Sequence, residues 1–170
     1  MVGRFPEGSR AVSPGARETL LAIGCLMVCF LPGLLGSRFQ PGAWYESLAK
    51  PALTPPGWVF PVTWTALYLM MGVALFLVAR QHATANGFPL AVSVFASQLL
   101  LNALWSWFFF GLQRPALAFL DIVALWFLIL ASVLLFWRIS TVASMLLLPY
   151  LVWVGFATWL NFAFWRLNHG

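Results

Sequence analysis

Apolar residues gather into five runs, roughly 19–36, 57–79, 88–110, 116–137 and 142–165, and polar residues collect between them. Each run is close to the ~20 residues that a helix needs to cross the hydrocarbon core of a bilayer. Lipid offers no partner to a backbone N–H or C=O, so a spanning segment must satisfy its own, as a helix does. The runs are continuously apolar and lack the in–out alternation of a membrane-barrel strand. The pattern therefore predicts an all-α membrane protein, a five-transmembrane-helix bundle. The stretches Arg80–Gly87, Gly111–Pro115 and Arg138–Thr141 are short, which predicts that the helices they join are antiparallel neighbours. Only the connection Ser37–Pro56 is long, and it marks the functional end. Residues 1–18 are rich in Arg, Pro, Gly and Ser without periodicity, and are expected to form a disordered arm ahead of one domain over 19–170. The first run is long enough to span and no small-residue cleavage site follows it. It is expected to be a membrane helix and not a cleaved leader.

The long connection runs into the second helix as WYESLAKPALTPPGWVFPVTWTALY, from Trp44 to Tyr68. Trp44, Tyr45, Trp58, Trp64 and Tyr68 supply broad rings, while Pro51, Pro55, Pro56 and Pro61 fix φ and remove donors. A stiff, extended or turning loop is expected up to Gly57, placed as a lid over a flat apolar ligand. Inside the runs, the few polar residues fall on helical stripes. Gln98, Asn102, Trp105 and Phe109 share one face of the third helix. Tyr150, Trp153, Ala157, Asn161 and Phe164 share one face of the fifth, and Trp64, Tyr68 and Met71 one face of the second. Large aromatics mixed with a few hydrogen-bonding groups suit a pocket for a large apolar ligand with polar edges. The same Asn and Gln residues also suit plain bonding between helices. Trp44, Trp137 and Trp165 fit an interfacial belt, whereas Trp64 and Trp153 lie deeper. Pro61 and Pro149 are expected to kink their spans. Asp121 is the one acid well inside a run; its place near a helix N-terminus, with Arg114 close by, favours a structural role over a functional one.

Composition agrees with the pattern: 62% of residues are hydrophobic and 8% charged, where a soluble domain carries about 25% charged residues. The net charge of +5 is carried by residues scattered at the edges of apolar runs, as interfacial anchors are, so nucleic acid is not an expected partner. Arg4, Arg10, Arg17, Arg80 and Arg138 on one side against Arg38, Lys50, Arg114 and Arg166 on the other give no orientation. Cys25 and Cys29 stand one turn apart with no further soft ligand, which predicts packing residues and no metal site. His82 and His169 have neither an acid nor a nucleophile beside them, and no triad, carboxylate pair or phosphate loop is present. No cofactor is expected.

Three stretches carry a family resemblance: WYxxLxKPxxxPPxWVFPxxW at Trp44–Trp64, QLxLNxxWxxxFFG at Gln98–Gly111, and PYLxWxxFATxLNxxxWRxNHG at Pro149–Gly170. Over about residues 20–170 the chain resembles the TspO/MBR family of bacterial tryptophan-rich sensory proteins and mitochondrial translocator proteins. The resemblance implies a five-helix bundle, often a homodimer in membrane lipid, with the first loop capping a cavity that binds porphyrins such as protoporphyrin IX. Drugs of the isoquinoline-carboxamide and benzodiazepine kinds, and sterols, are further ligands of the family. Some bacterial members are associated with light-dependent porphyrin breakdown, which places candidate catalytic roles on Trp64 and Trp153. The expected ligand-binding set is Trp44, Trp58, Trp64, Tyr68, Gln98, Asn102, Trp105, Tyr150, Trp153, Ala157 and Asn161. By charge and loop position, Arg38 and Lys50 are candidates to pair with porphyrin propionates. Two positions depart from the family: Phe162 stands where the animal cholesterol motif has tyrosine, and Leu117 where mammals have a ligand-facing tryptophan. The expected function is a multi-pass membrane receptor, carrier or sensor for porphyrins and related flat ligands. A light-dependent porphyrin-degrading enzyme and a sterol or lipid translocator are the alternatives. The bacterial-type WVFPVTW wording favours a bacterial cell envelope over the mitochondrial outer membrane.

Overall fold

The computed structural model describes residues 13–82 and 85–168. Six α-helices appear in it: α1 (Pro14–Gly36), α2 (Ala43–Ser47), α3 (Val59–Ala79), α4 (Phe88–Ser106), α5 (Pro115–Trp137) and α6 (Thr141–Leu167). A single π-helical turn, Trp107–Gly111, continues α4. Among the described residues five helices are long and apolar enough to cross a membrane, α1, α3, α4 with its π turn, α5 and α6. Their limits fall within a few residues of the five apolar runs. The exception is the start of α1. Ser13 caps it, accepting from the Ala16 N–H at 3.3 Å, so residues 14–18 of the expected arm belong to the helix. The rest of that arm, residues 1–12, lies outside the described residues, as does His169.

Local chemistry sets the other ends. Ser140 accepts from the Ala143 N–H at the start of α6, and Gly87 takes φ +82° just before α4, a left-handed conformation that glycine adopts without strain. Pro61 is in the first turn of α3, where a missing N–H leaves no carbonyl without a donor, so the kink expected there has no cause. Pro32 and Pro149 lie inside α1 and α6.

α1 packs against α3 and α4, α6 against α3 and α5, and α4 against α5. The spans therefore form a ring in the order α1, α3, α6, α5, α4. This corrects one expectation. α3 and α4, joined by a short connection, are not ring neighbours, because α1 stands between them. In lipid, close packing replaces the hydrophobic effect as the force between helices, and small residues permit it. A Cβ on Gly72 would stand 2.6 Å from Leu26 Cδ2 and 3.0 Å from the Leu26 Cα, so α1 and α3 meet backbone to backbone there. At the end of the bundle that holds Ser13, Arg80 and Glu18 add an ion pair at 3.5 Å.

The segment between α1 and α3 is not the plain loop expected from its prolines. It folds one short helix, α2, between turns, and residues of this segment border the interior at that end.

Candidate functional site

At the end of the bundle that carries α2 and the π turn lies a cavity of about 820 Å³. That is inside the range of about 300–1,000 Å³ typical of small-molecule sites. Its walls come from α1, α3, α4, the π turn, α5, α6 and the α1–α3 segment. The sequence-predicted residues that line it are Trp64, Tyr68, Asn102, Trp105, Trp153, Ala157, Asn161 and Lys50. Three helices thus present part of each stripe read from spacing to one common space, while Met71, Gln98 and Tyr150 of those stripes lie outside the lining.

The aromatic walls are built by ring packing. Trp64 stacks on Tyr68 (centroids 5.4 Å apart, planes at 28°) and meets Tyr150 edge-on at 6.1 Å. Trp105 stacks on Phe109 at 5.2 Å and stands edge-on to Phe110 at 5.9 Å. Trp153 meets Phe60 edge-on at 6.0 Å. Offset and edge-to-face pairs of this kind hold each ring in a fixed orientation.

The polar groups form two sets. In the first, Tyr68 Oη donates to Asn102 Oδ1 at 2.9 Å, Asn102 Nδ2 donates to Tyr150 Oη at 3.0 Å, and Tyr150 Oη donates to Gln98 Oε1 at 2.9 Å. This chain crosses the ring from α3 through α4 to α6. Gln98 and Tyr150 are each 1% exposed and do not line the cavity, so they support Tyr68 and Asn102 from behind. In the second set, Trp105 Nε1 donates to Asn161 Oδ1 at 2.9 Å, and Asn161 Nδ2 donates to the Pro115 carbonyl at 2.8 Å. Both Asn161 groups are spent on holding Trp105 and the start of α5. The buried indole N–H of Trp153, like the buried Gln98 Nε2, has no hydrogen-bond partner among the described residues.

Besides Gln98 and Tyr150, three further predicted residues lie outside the lining. Trp44 packs edge-on against Phe109 at 5.8 Å and does not line the cavity. Trp58 is 69% exposed, and Arg38 also lies outside the lining. Lys50 is a lining residue, but its Nζ donates to Glu46 Oε2 at 2.6 Å and lies 5.1 Å from the centre of the Tyr45 ring. Hydrogen bonding to Glu46 holds the Lys50 ammonium above its ordinary range, so it stays charged throughout the physiological pH range. Burial pushes the Tyr45 hydroxyl up as well, which keeps it neutral. Sequence reasoning missed Glu46, Phe60, Phe110 and the α1 glycines among the lining residues. The i, i+4 spacing of Glu46 and Lys50 was the signal for the first. Gly33 had no such signal. A Cβ there would stand 2.6 Å from Tyr68 Cε2, so glycine is what lets the Tyr68 ring lie against α1.

Asp121 is 7% exposed, and its Oδ2 has no hydrogen-bond partner among the described residues. It neither lines the cavity nor forms an ion pair among the described residues, Arg114 included. Asp121→Asn is therefore expected to leave ligand affinity within about twofold and to hold or raise the thermal unfolding temperature, since it removes an uncompensated buried acid. Detergent-phase melting with a binding titration checks this. A large loss of affinity at unchanged stability would give the carboxylate a functional role.

A ring of five spanning helices around an aromatic-walled chamber defines a multi-pass integral membrane protein built to hold an apolar molecule. The family model described as the TspO/MBR family matches residues 23–166, and the chain belongs to that family. It is similar to the tryptophan-rich protein TspO of Chlorobaculum tepidum, 46% identical over 155 residues that cover 89% of this chain and 98% of the relative. Protein CrtK of Rhodobacter capsulatus is 40% identical over 152 residues, covering 89% of this chain and 94% of the relative. The human translocator protein is 35% identical over 156 residues, covering 88% and 90%.

Proposed function

We propose that the chain is a membrane receptor, carrier or sensor that takes porphyrins of the protoporphyrin IX kind, and related flat apolar ligands, into the aromatic cavity. The supporting observation is the convergence of Trp64, Trp105 and Trp153 on one space of about 820 Å³ with Tyr68 and Asn102 at its edge. Indole faces stack on a macrocycle, and the Asn102 amide meets its polar groups. The names of similar proteins point the same way: one is a tryptophan-rich sensory protein of Cereibacter sphaeroides, and the human relative is a translocator protein. The setting we infer is a bacterial cell envelope, with a homodimer as the assembly.

A second reading, light-dependent breakdown of the bound porphyrin, draws support from Trp64 and Trp153 lining the same cavity as candidate electron donors. The sterol reading gains nothing from the cavity, because Phe162 is outside its lining and packs on Phe119 and Trp165.

Titration of the full chain in detergent with protoporphyrin IX, in the dark, should quench tryptophan fluorescence saturably. Trp64→Phe and Trp153→Phe should each weaken binding several-fold, about 1 kcal/mol per lost stacking contact. Stable absorbance under illumination supports the receptor or carrier. Loss of porphyrin absorbance that requires Trp64 and Trp153 supports the enzyme. Absence of saturable quenching by the unmodified protein removes the porphyrin reading and leaves the fold untouched.

A further inference from the structure

Among the described residues, the cavity lining carries one acid and one base, Glu46 and Lys50. The other polar side chains in the lining, such as Gln40, Thr54, Ser106 and Asn102, are neutral. Glu46, in α2, and Lys50, three residues past its end, are four apart in sequence and are joined at 2.6 Å. Their side chains are 67% and 40% exposed, so the pair is wet and can be reorganised by an incoming ligand. The rim of the cavity therefore has no net charge. The cation that a ligand carboxylate would seek is already engaged, and a carboxylate approaching it meets a second one.

We propose that Glu46 is a specificity residue that sets the charge preference of the cavity, favouring uncharged flat ligands over those with carboxylates. The ligand shape assumed here rests on the reading above; the charge argument does not. A carboxylate placed at Lys50 must displace Glu46 into solvent or accept its repulsion, whereas an ester or a neutral ring system does neither. The plain alternative is that the pair only staples the end of α2, as many i, i+4 pairs do. The two differ in what they change. A staple alters stability, whereas a charge selector alters the ratio of affinities for an acid and its ester.

The test uses the full chain in detergent, in the dark, with protoporphyrin IX and its dimethyl ester, and with a porphyrin-independent pair, pyrenebutyric acid and its methyl ester. Glu46→Gln keeps a hydrogen-bond acceptor for Lys50 and removes the charge. It should tighten both acids about two- to fivefold, the scale of an exposed ion pair, and leave both esters unchanged. The gain should shrink at high salt, because exposed charges are screened. In a Lys50→Met background, Glu46→Gln should lose the gain that depends on a freed ammonium. Equal shifts for acid and ester, or no shift in either pair, overturn the proposal. If the porphyrins fail to bind the unmodified protein while the pyrene pair responds as described, the porphyrin reading falls and the charge selector stands. If porphyrins bind and both pairs ignore Glu46, the reverse holds.

Discussion

Asn102→Leu is expected to destabilise the bundle by about 1–3 kcal/mol and to weaken ligand binding at least tenfold. Leucine has the same number and branching of side-chain heavy atoms as asparagine and leaves no cavity, so the loss is chiefly one of partners. Both ends of the Asn102 amide are in use, with Oδ1 accepting from Tyr68 and Nδ2 donating to Tyr150. Removing the amide strands the Tyr68 donor and takes one donor from Tyr150. Tyr150 is 1% exposed, too deep for water to replace that bond. Tyr68 borders the cavity and can turn its hydroxyl there, which keeps its share of the cost low. Bonds between membrane helices average about 0.6 kcal/mol in measured cases, and that also argues against the upper end of the range. Binding suffers more than stability because Trp64 lies on the Tyr68 ring, so a Tyr68 that has lost its anchor no longer fixes that wall. Tyr68→Phe should cost less, about 1 kcal/mol, because the Asn102 Oδ1 it leaves unpaired belongs to a cavity-lining residue. The double variant should fall short of the sum, since both changes break one bond. Melting in detergent and a dark titration of all three variants check this. An Asn102→Leu protein with unchanged melting and unchanged affinity would show that the network is incidental.

That network is also where the sequence was most informative. Gln98 and Asn102 are four residues apart in an apolar run, and a helix puts such residues on one face whatever else happens. The five spans were legible for a similar reason, since lipid restricts an apolar run of that length to one structure. What escaped the reading depends on contacts between distant residues. The π turn at Trp107–Gly111 lies in WFFFG, with no proline and no polar break, and nothing local distinguishes it from α-helix. Two of its residues, Phe109 and Phe110, line the cavity beside Trp105, and Phe110 is the one that α-helical spacing did not place there. The ring order was hidden as well. Short connections suggested that α3 and α4 touch, but the placement of α1 between them follows from Gly72 and Gly33 at its contact with α3 and from Gly36 against Ser106 of α4, whose close approaches leave no periodic trace. The charge at the rim was half legible, with Lys50 singled out and its neighbour Glu46 overlooked. Arg38, selected on the same grounds as Lys50, faces elsewhere, because position in a connection does not say which way its turns point.

The longest-range contact of this kind yields the other large expected effect: Asn168→Ala should speed ligand release about tenfold while leaving the unfolding free energy within about 1 kcal/mol. Asn168 follows the last turn of α6 and grips the α1–α3 segment at one residue, Ala49, through the two peptide groups that flank it. Its Oδ1 accepts from the Ala49 N–H at 2.9 Å, its Nδ2 donates to the Ala49 carbonyl at 3.1 Å, and the same Nδ2 donates to the Phe164 carbonyl at 2.9 Å. Aromatic packing also holds that segment, with Trp44 against Phe109 and Tyr45 against Phe109, Phe110 and Phe164. The clamp lies at the exposed edge of the bundle, so each bond contributes about 0.5–1.5 kcal/mol net, and losing two corresponds to roughly tenfold in an opening equilibrium. The five spans do not depend on it, hence the small effect on global stability. Opening affects entry and exit alike. If Ala49 and its neighbours act as a gate, association and dissociation rates both rise and Kd changes less than either. If instead the segment acts chiefly as a ligand contact, only dissociation quickens and Kd rises with it. Stopped-flow quenching of the tryptophans by protoporphyrin IX separates the two, and unchanged rates would reduce the clamp to a stop for the frayed end of α6. Asn168→Asp adds a control, because it keeps the acceptor for the Ala49 N–H, discards the donor and sets a carboxylate beside the Ala49 carbonyl. Its rates should fall at or beyond those of the alanine variant, and recovery to the original values would contradict a two-point clamp.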